Sequence, residues 1–342
     1  MRKICPKIFY SPYYDIRLYG LERVHPFDSC KYSRIWQKLH DYFKGKLLDW
    51  TIEPNRPVDD SDLLAIHTET YLKHLKSPQY LAQALEIPAL ALMTIPLSLP
   101  FVAKLSKVLW ERHILNSILE PMRWATMGTV MAAKEAFESG ITINLSGGYH
   151  HASSDHGEGF CIYSDIALAI SKLRQFGTIL KNKDKVLIID LDAHQGNGLE
   201  RIFYEDECVY IFDMYNKDIY PGDKWARKRR NNYNVELSSG SDDKDYLHKL
   251  KSNIDSFINN IERPKIVFYN AGTDIYKGDP LGKLNVSQDG ILERDMFIFE
   301  TICRERLPCV MTLAGGYTKE SSILVERSIR TLFENFGSQL SH

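Results

Sequence analysis

Asp192 and His194 stand two residues apart at the end of the apolar run 185–190. In an extended strand end, residues two apart point the same way, so this carboxylate and imidazole can reach one ion. Asp274, after a separate apolar run at 265–270, adds a second carboxylate. Two carboxylates and one imidazole leave a coordination position open for water, as in a catalytic rather than a closed structural metal site. The set suits Zn²⁺, and ligand type alone also admits Fe²⁺ or Mn²⁺. A lone Asp-x-His is more often a capping aspartate beside a hydrogen-bonded histidine; Asp274 argues against that here. His150 and His151 follow Gly147-Gly148. A neutral imidazole there can take a proton from an attacking water and return it to a leaving amine. Tyr317, behind Gly315-Gly316, can donate its phenolic hydrogen to a developing oxyanion. Alone, it would read as a tyrosine packed at a strand end.

These groups come from distant parts of the sequence, so the fold must converge them. Apolar runs at 141–145, 185–190, 208–213, 265–270 and 309–314 read as strands buried on both faces of a parallel sheet. Between them, residues 124–139 form a helical pattern closed by Gly140. Ser164 is placed to cap 165–175, and 242–262 carries Leu247, Leu250, Ile254, Ile258 and Ile261 at helical spacing. Alternating strands and helices predict a single-domain α/β fold over residues 1–342, with a central, mostly parallel sheet flanked by helices on both faces. In such sheets ligands bind outside the carboxyl ends of the strands, where the chemistry-bearing residues fall.

Composition agrees. The chain has 342 residues, 44% hydrophobic and 25% charged, with 43 basic against 44 acidic side chains, so disorder and low complexity are excluded. A net charge of -1 gives no bulk argument for direct nucleic-acid or acidic-membrane binding. The N-terminus lacks an apolar signal region and no apolar run is long enough for a membrane span. Six cysteines without CxxC spacing suggest free thiols. The expectation is a cytoplasmic protein, or a nuclear one if the source is eukaryotic.

Several long segments resemble one family. IFYSPYYDI, GLERVHPFD, HTETYLKHL, SGGYHHASSDHGEGFCIYSDIALAI, IIDLDAHQGNGLERIF, NAGTDIYKGDPLG and AGGYTKESS are similar, in order, to the zinc-dependent histone deacetylases, most closely their class IV branch. The resemblance implies the arginase/deacetylase fold, one Zn²⁺ per chain, and hydrolysis of acyl-lysine in a protein or peptide. The class IV likeness further implies long fatty-acyl groups, with weaker deacetylation. Residue by residue, Asp192, His194 and Asp274 match the zinc ligands. His150 and His151 match the tandem catalytic histidines, with His151 as general base, and Tyr317 matches the carbonyl-polarising tyrosine. Gly159, Phe160, Tyr220 and Leu281 match walls of the acyl tunnel. Asp190, Asp213 and Met214 match a structural monovalent-cation site for K⁺, with Asp190 also orienting His150. Gln195 and Asn197 stand where class I members carry histidine and aspartate. Asn197 beside His151 brings no negative charge, so His151 should be neutral near pH 7. Asp213 replaces an expected serine and should strengthen the cation site. Oligomeric state is not legible.

Rival readings turn on the same residues. Two-metal ureohydrolases of this fold need further carboxylates where Gly196 and Tyr276 stand. An acetylpolyamine amidohydrolase would want an acidic gatekeeper, for which Glu86 and Asp279 are the candidates. A non-catalytic acyl-lysine-binding module would be expected to have lost a ligand, a histidine or the tyrosine, and none is lost. The apolar stretch 87–102 reads as a greasy rim for long acyl chains or as a loop packed on the core. Residues 224–230 read as a solvated basic loop or a contact for an acidic partner or the import machinery. His25 reads as structural.

Overall fold

The computed structural model describes residues 5–17, 28–87 and 115–336. His25 and residues 88–102 of the apolar stretch lie outside them.

Among the described residues, eight strands form one sheet. They are β1 (Lys7–Phe9), β2 (Thr51–Ile52), β3 (Ile141–Asn144), β4 (Val186–Asp190), β5 (Val209–Asn216), β6 (Asn232–Leu237), β7 (Ile266–Asn270) and β8 (Cys309–Thr312). Their order is β2-β1-β3-β8-β7-β4-β5-β6. Every pairing is parallel, so the expected mostly parallel sheet is wholly so among the described strands. Strands β3, β4, β7 and β8 are buried along their whole length, so β4, β7 and β8 read as nearly continuous apolar runs, while β3 buries Thr142 and Asn144 through hydrogen bonds to Ala132 O and Ala125 O. Edge strand β6 is half-exposed and polar, and β1 and β2 are too short to leave a pattern, so periodicity misses all three.

The helices are α1 (Lys31–Phe43), α2 (Lys46–Trp50), α3 (Asp60–Leu63), α4 (Glu69–His74), α5 (Pro78–Ala84) and α6 (Leu115–Ser139). Then come α7 (Asp165–Gln175), α8 (Asn197–Ile202), α9 (Asp243–Asn259), α10 (Gln288–Glu305) and α11 (Ser321–Phe336). They flank the sheet in two packed groups: α1 on α11, α11 on α10 and α10 on α9; α6 on α7 and α7 on α8. Helix α6 starts well before the expected residue 124, running through Pro121. It ends as expected at Gly140, whose φ of 85° suits glycine and whose N–H donates to Ala136 O. Asp242 caps α9 by accepting from Asp245 N–H, and the helix stops at Asn259, short of 262. Ser164 precedes α7, but its hydroxyl makes no cap bond. Asp165, the first residue of that helix, has the larger role described below.

Candidate active site

The carboxyl ends of the central strands carry the site. After β3 the chain turns through Gly147 and Gly148, both in the left-handed region. Asp165 fixes this turn, accepting from Gly148 N–H (3.0 Å), Tyr149 N–H (2.9 Å) and the Thr129 hydroxyl on α6 (2.6 Å). A Cβ at residue 148 would come within 2.2 Å of Asn270 Oδ1, so only glycine lets the turn sit this close to β7. The turn delivers His150 and His151, with ring centroids 4.1 Å apart, into the buried edge.

Their surroundings set opposite charge states. His150 Nδ1 lies 2.8 Å from Asp190 Oδ2, at the end of β4. Asp190 is itself held, Oδ1 accepting from Asn270 Nδ2 at 3.1 Å. Burial opposes a charge on His150, but Asp190 and Asp192 outweigh it and raise its pKa to about 9. His151 Nδ1 lies 2.7 Å from Asn197 Oδ1. Burial, then the positive charges of His150 and His194, hold its pKa well below the usual histidine value. These surroundings favour the charged form of His150 and the neutral form of His151.

Asp192, His194 and Asp274 are buried, and their donor atoms lie within 4.8 Å of one another. His194 Nδ1 is 3.0 Å from both Asp192 Oδ1 and Asp274 Oδ2. Backbone N–H groups fix the other orientations: Gly315 to Asp192 Oδ2 (2.7 Å), His194 to Asp192 Oδ1 (2.9 Å) and Ala193 to Asp274 Oδ1 (2.9 Å). The electrostatics call for a cation. Burial and then Asp192 push the Asp274 carboxyl up to about 7. Against burial, the same carboxylates raise His194 to about 10. Two buried carboxylates closing on an imidazole suit a divalent ion of the zinc type, which would take the place of that proton. Gly315 forms part of the cradle, since a Cβ there would lie 2.4 Å from Asp274 Oδ2.

Above the cluster a cavity of about 170 Å³ is lined by Gly159, Phe160, Tyr220, Leu281 and Tyr317, with His151 and His194 at its base. All four expected tunnel residues therefore line one cavity with His151 and His194. The Tyr317 ring is 6.2 Å from His194 and 5.8 Å from Phe160. Burial, then Asp192 and Asp274, raise its phenol well above the usual range, so it keeps its proton. Ile219 and Glu86 also line the cavity. Asp279 is no gatekeeper. Its oxygens accept from the N–H groups of Leu281, Gly282 and Tyr317, which makes it a buried anchor for the tyrosine's backbone.

Asp213 lies inside β5, directly opposite Asp190, rather than just after the strand. Its Oδ2 accepts from Gly196 N–H (2.9 Å), whereas its fully buried Oδ1 has no hydrogen-bond partner. Met214, the next residue, is also fully buried. Sequence reasoning missed Glu200, a buried carboxyl that burial pushes up to about 7; burial, then Asp190 and Glu200, raise Asp213 well above the usual carboxylate range.

Other contributors also escaped it. Arg294 is fully buried, donating to Leu191 O and Gly272 O beside the two ligand-bearing turns and to Asp295 Oδ1 (2.8 Å). Lys31 Nζ donates to Ala314 O (2.8 Å), and burial, opposed by Asp274 and Asp192, lowers its pKa to about 8. A basic residue in a polar stretch signals neither role. The basic run is no continuous face: Arg229 is buried against the carbonyls of Phe203, Asp206 and Val209, and Arg227 pairs with Glu236. All six cysteines are free thiols. No helix among the described residues is long and apolar enough to cross a membrane.

A parallel α/β sheet carrying an Asp-His-Asp cluster that could hold a metal, a histidine pair and a tyrosine at its carboxyl edge defines a hydrolase of the deacetylase type. The histone deacetylase domain model matches residues 25–333, and the chain belongs to that family. It is 40% identical over 325 residues to histone deacetylase 2 of Arabidopsis thaliana, covering 95% of this chain and 78% of the relative. It is 36% identical over 218 residues to an uncharacterized protein of Picosynechococcus, covering 64% of this chain and 68% of that one. The crystal structure of the HDA15 HD domain shares the fold, with a TM-score of 0.70 at 21% identity over 97% of this chain and 93% of that one.

Proposed function

We propose that residues 1–342 form one catalytic unit, a zinc-dependent lysine deacylase of class IV type. In this reading Asp192, His194 and Asp274 hold the metal, and the substrate is an acylated lysine in a protein or peptide. The supporting observation is the single cavity that joins the neutral His151, the cluster residue His194 and the protonated Tyr317 to an apolar wall. Bound zinc supplies Lewis acidity, lowering the pKa of water and polarising the acyl carbonyl. His151 takes the proton of the attacking water and returns it to the departing lysine amine. Tyr317 donates to the carbonyl oxygen as negative charge develops, and His150, paired with Asp190, keeps a positive charge beside it.

For the acyl group we propose a long fatty chain, with slower acetyl removal. This follows the likeness of the sequence motifs to class IV, and the apolar Phe160, Ile219 and Leu281 support it. We also propose K⁺ on Asp190, Asp213 and the backbone at Met214, supported by the unpartnered Asp213 Oδ1. Glu86 in the cavity wall favours a second reading, a small acetylated amine whose cation it would receive.

Turnover of acetyl-lysine and myristoyl-lysine peptides, with and without a hydroxamate chelator, separates these readings. Myristoyl preference abolished by chelator supports the proposal. Acetyl-only activity removes the fatty-acyl part. Activity on acetylpolyamines alone would replace it with the second reading.

A further inference from the structure

Glu158 supplies no group to the reaction above, yet three side chains converge on its carboxylate. Asn197 Nδ2 donates to Oε1 at 2.6 Å, the Tyr220 hydroxyl donates to Oε2 at 2.7 Å, and His156 Nε2 lies 3.5 Å from Oε1. An ionised carboxylate only accepts, so it dictates which end of the Asn197 amide turns toward it. The amide nitrogen faces Glu158, and the amide oxygen faces His151 Nδ1 at 2.7 Å. That oxygen also only accepts. The His151 proton must therefore sit on Nδ1, leaving the Nε2 lone pair free to act as the base. A flipped amide would present N–H to Nδ1, drive the proton onto Nε2 and remove the lone pair from the reaction.

We propose that Glu158 is a positioning residue which, by orienting the Asn197 amide, selects the His151 tautomer able to abstract a proton, while also bracing Tyr220 in the cavity wall. The inference rests on His151 acting as the base of the proposed deacylase. Bonds to an ionised acceptor are the stronger kind, so the preference for one amide orientation is decisive. Burial opposes ionisation of Glu158, but His156, Tyr220 and Asn197 together bring its pKa down to about 2. The carboxylate is thus available throughout the neutral range. Where a family member carries aspartate, a carboxylate fixes the imidazole directly; here the charge stands one amide further out.

Glu158→Gln tests this, because a glutamine can offer either end of its own amide and no longer dictates the other. The expected result is a fall in kcat of about ten- to a hundredfold on an acyl-lysine peptide, the usual cost of losing an outer orienting partner. In the double variant Glu158→Gln/Asn197→Asp, the carboxylate introduced at position 197 accepts from His151 Nδ1–H and from the amide introduced at position 158, so kcat should recover most of the loss. ¹⁵N shifts of the His151 ring in the zinc-loaded chain read the tautomer without any substrate. Nδ1–H is expected in the wild type and the double variant, and Nε2–H or a mixture in Glu158→Gln. An unchanged tautomer in Glu158→Gln, or no recovery in the double variant, would overturn the proposal. A wild type silent on acyl-lysine would sink the deacylase reading instead, and the ring shifts would still decide the tautomer.

Discussion

Replacing Gly315 with alanine removes no donor atom, yet it should cripple metal binding. The new Cβ would lie 2.4 Å from Asp274 Oδ2 and 2.6 Å from Asp192 Oδ2, where ordinary contacts begin at 3.4 Å. Neither carboxylate can swing away freely. Asp274 Oδ1 is held by Ala193 N–H and Asp192 Oδ1 by His194 N–H, while Asp192 Oδ2 accepts the N–H of Gly315 itself. An oxygen must therefore move by about 1 Å, well beyond the roughly 0.2 Å over which metal–ligand distances vary. We expect zinc affinity to fall by about a hundredfold or more, near 2.7 kcal/mol. The fold should persist, since overpacking at one position costs about 1–3 kcal/mol. Competition against a fluorescent zinc chelator measures the affinity, and thermal melts of the same samples check folding. A folded variant binding zinc within threefold of the wild type would refute the reasoning, because the carboxylates would then be free to adjust.

Tyr317→Phe removes one donor to the developing oxyanion and should lower kcat about 10²–10³-fold with little change in KM; a purely raised KM would contradict its role. Arg294→Met should destabilise by about 3–5 kcal/mol, because Asp295 would lose its buried cation and the ligand-bearing turns their tie. Urea unfolding checks this, and a loss under 1 kcal/mol would count against it. His67 accepts from Ser164 N–H (3.1 Å) at Nε2 and faces Ser153 O (3.0 Å) through Nδ1, and burial lowers its pKa from 6.5 to about 4. Its folded pKa is depressed, so its contribution is fully present above about pH 6.5 and is lost as pH falls through 4, about 3 kcal/mol in all. Unfolding free energies of the wild type and His67→Gln should converge over that window, and parallel curves would exclude the effect.

The site was legible because its residues follow runs that are apolar for a physical reason. Strands β4, β7 and β8 are buried on both faces, so Asp192, Asp274 and Tyr317 each stand where an unbroken hydrophobic run stops. The apolar run stops at Asp213, whereas β5 continues through Met214 to Asn216, and nothing in a buried strand's composition distinguishes its middle from its edge. Glu158, Arg294 and Asp165 carry no such signal. Each acts through a partner far away in sequence, and a charged side chain reads as solvated until the partner is seen. Asp279 shows the opposite error: an acidic residue in a loop looked like a gatekeeper, and its oxygens are spent on backbone N–H groups.

The most direct test of the account is to titrate zinc into chelator-stripped protein while following release of acyl groups from a lysine peptide. Turnover should rise linearly to one equivalent of zinc and then stop rising, with no rise in Asp192→Asn. Full turnover by the stripped protein, or a zinc-dependent rise in Asp192→Asn matching the wild type, would contradict the claim that Asp192, His194 and Asp274 hold the metal on which hydrolysis depends.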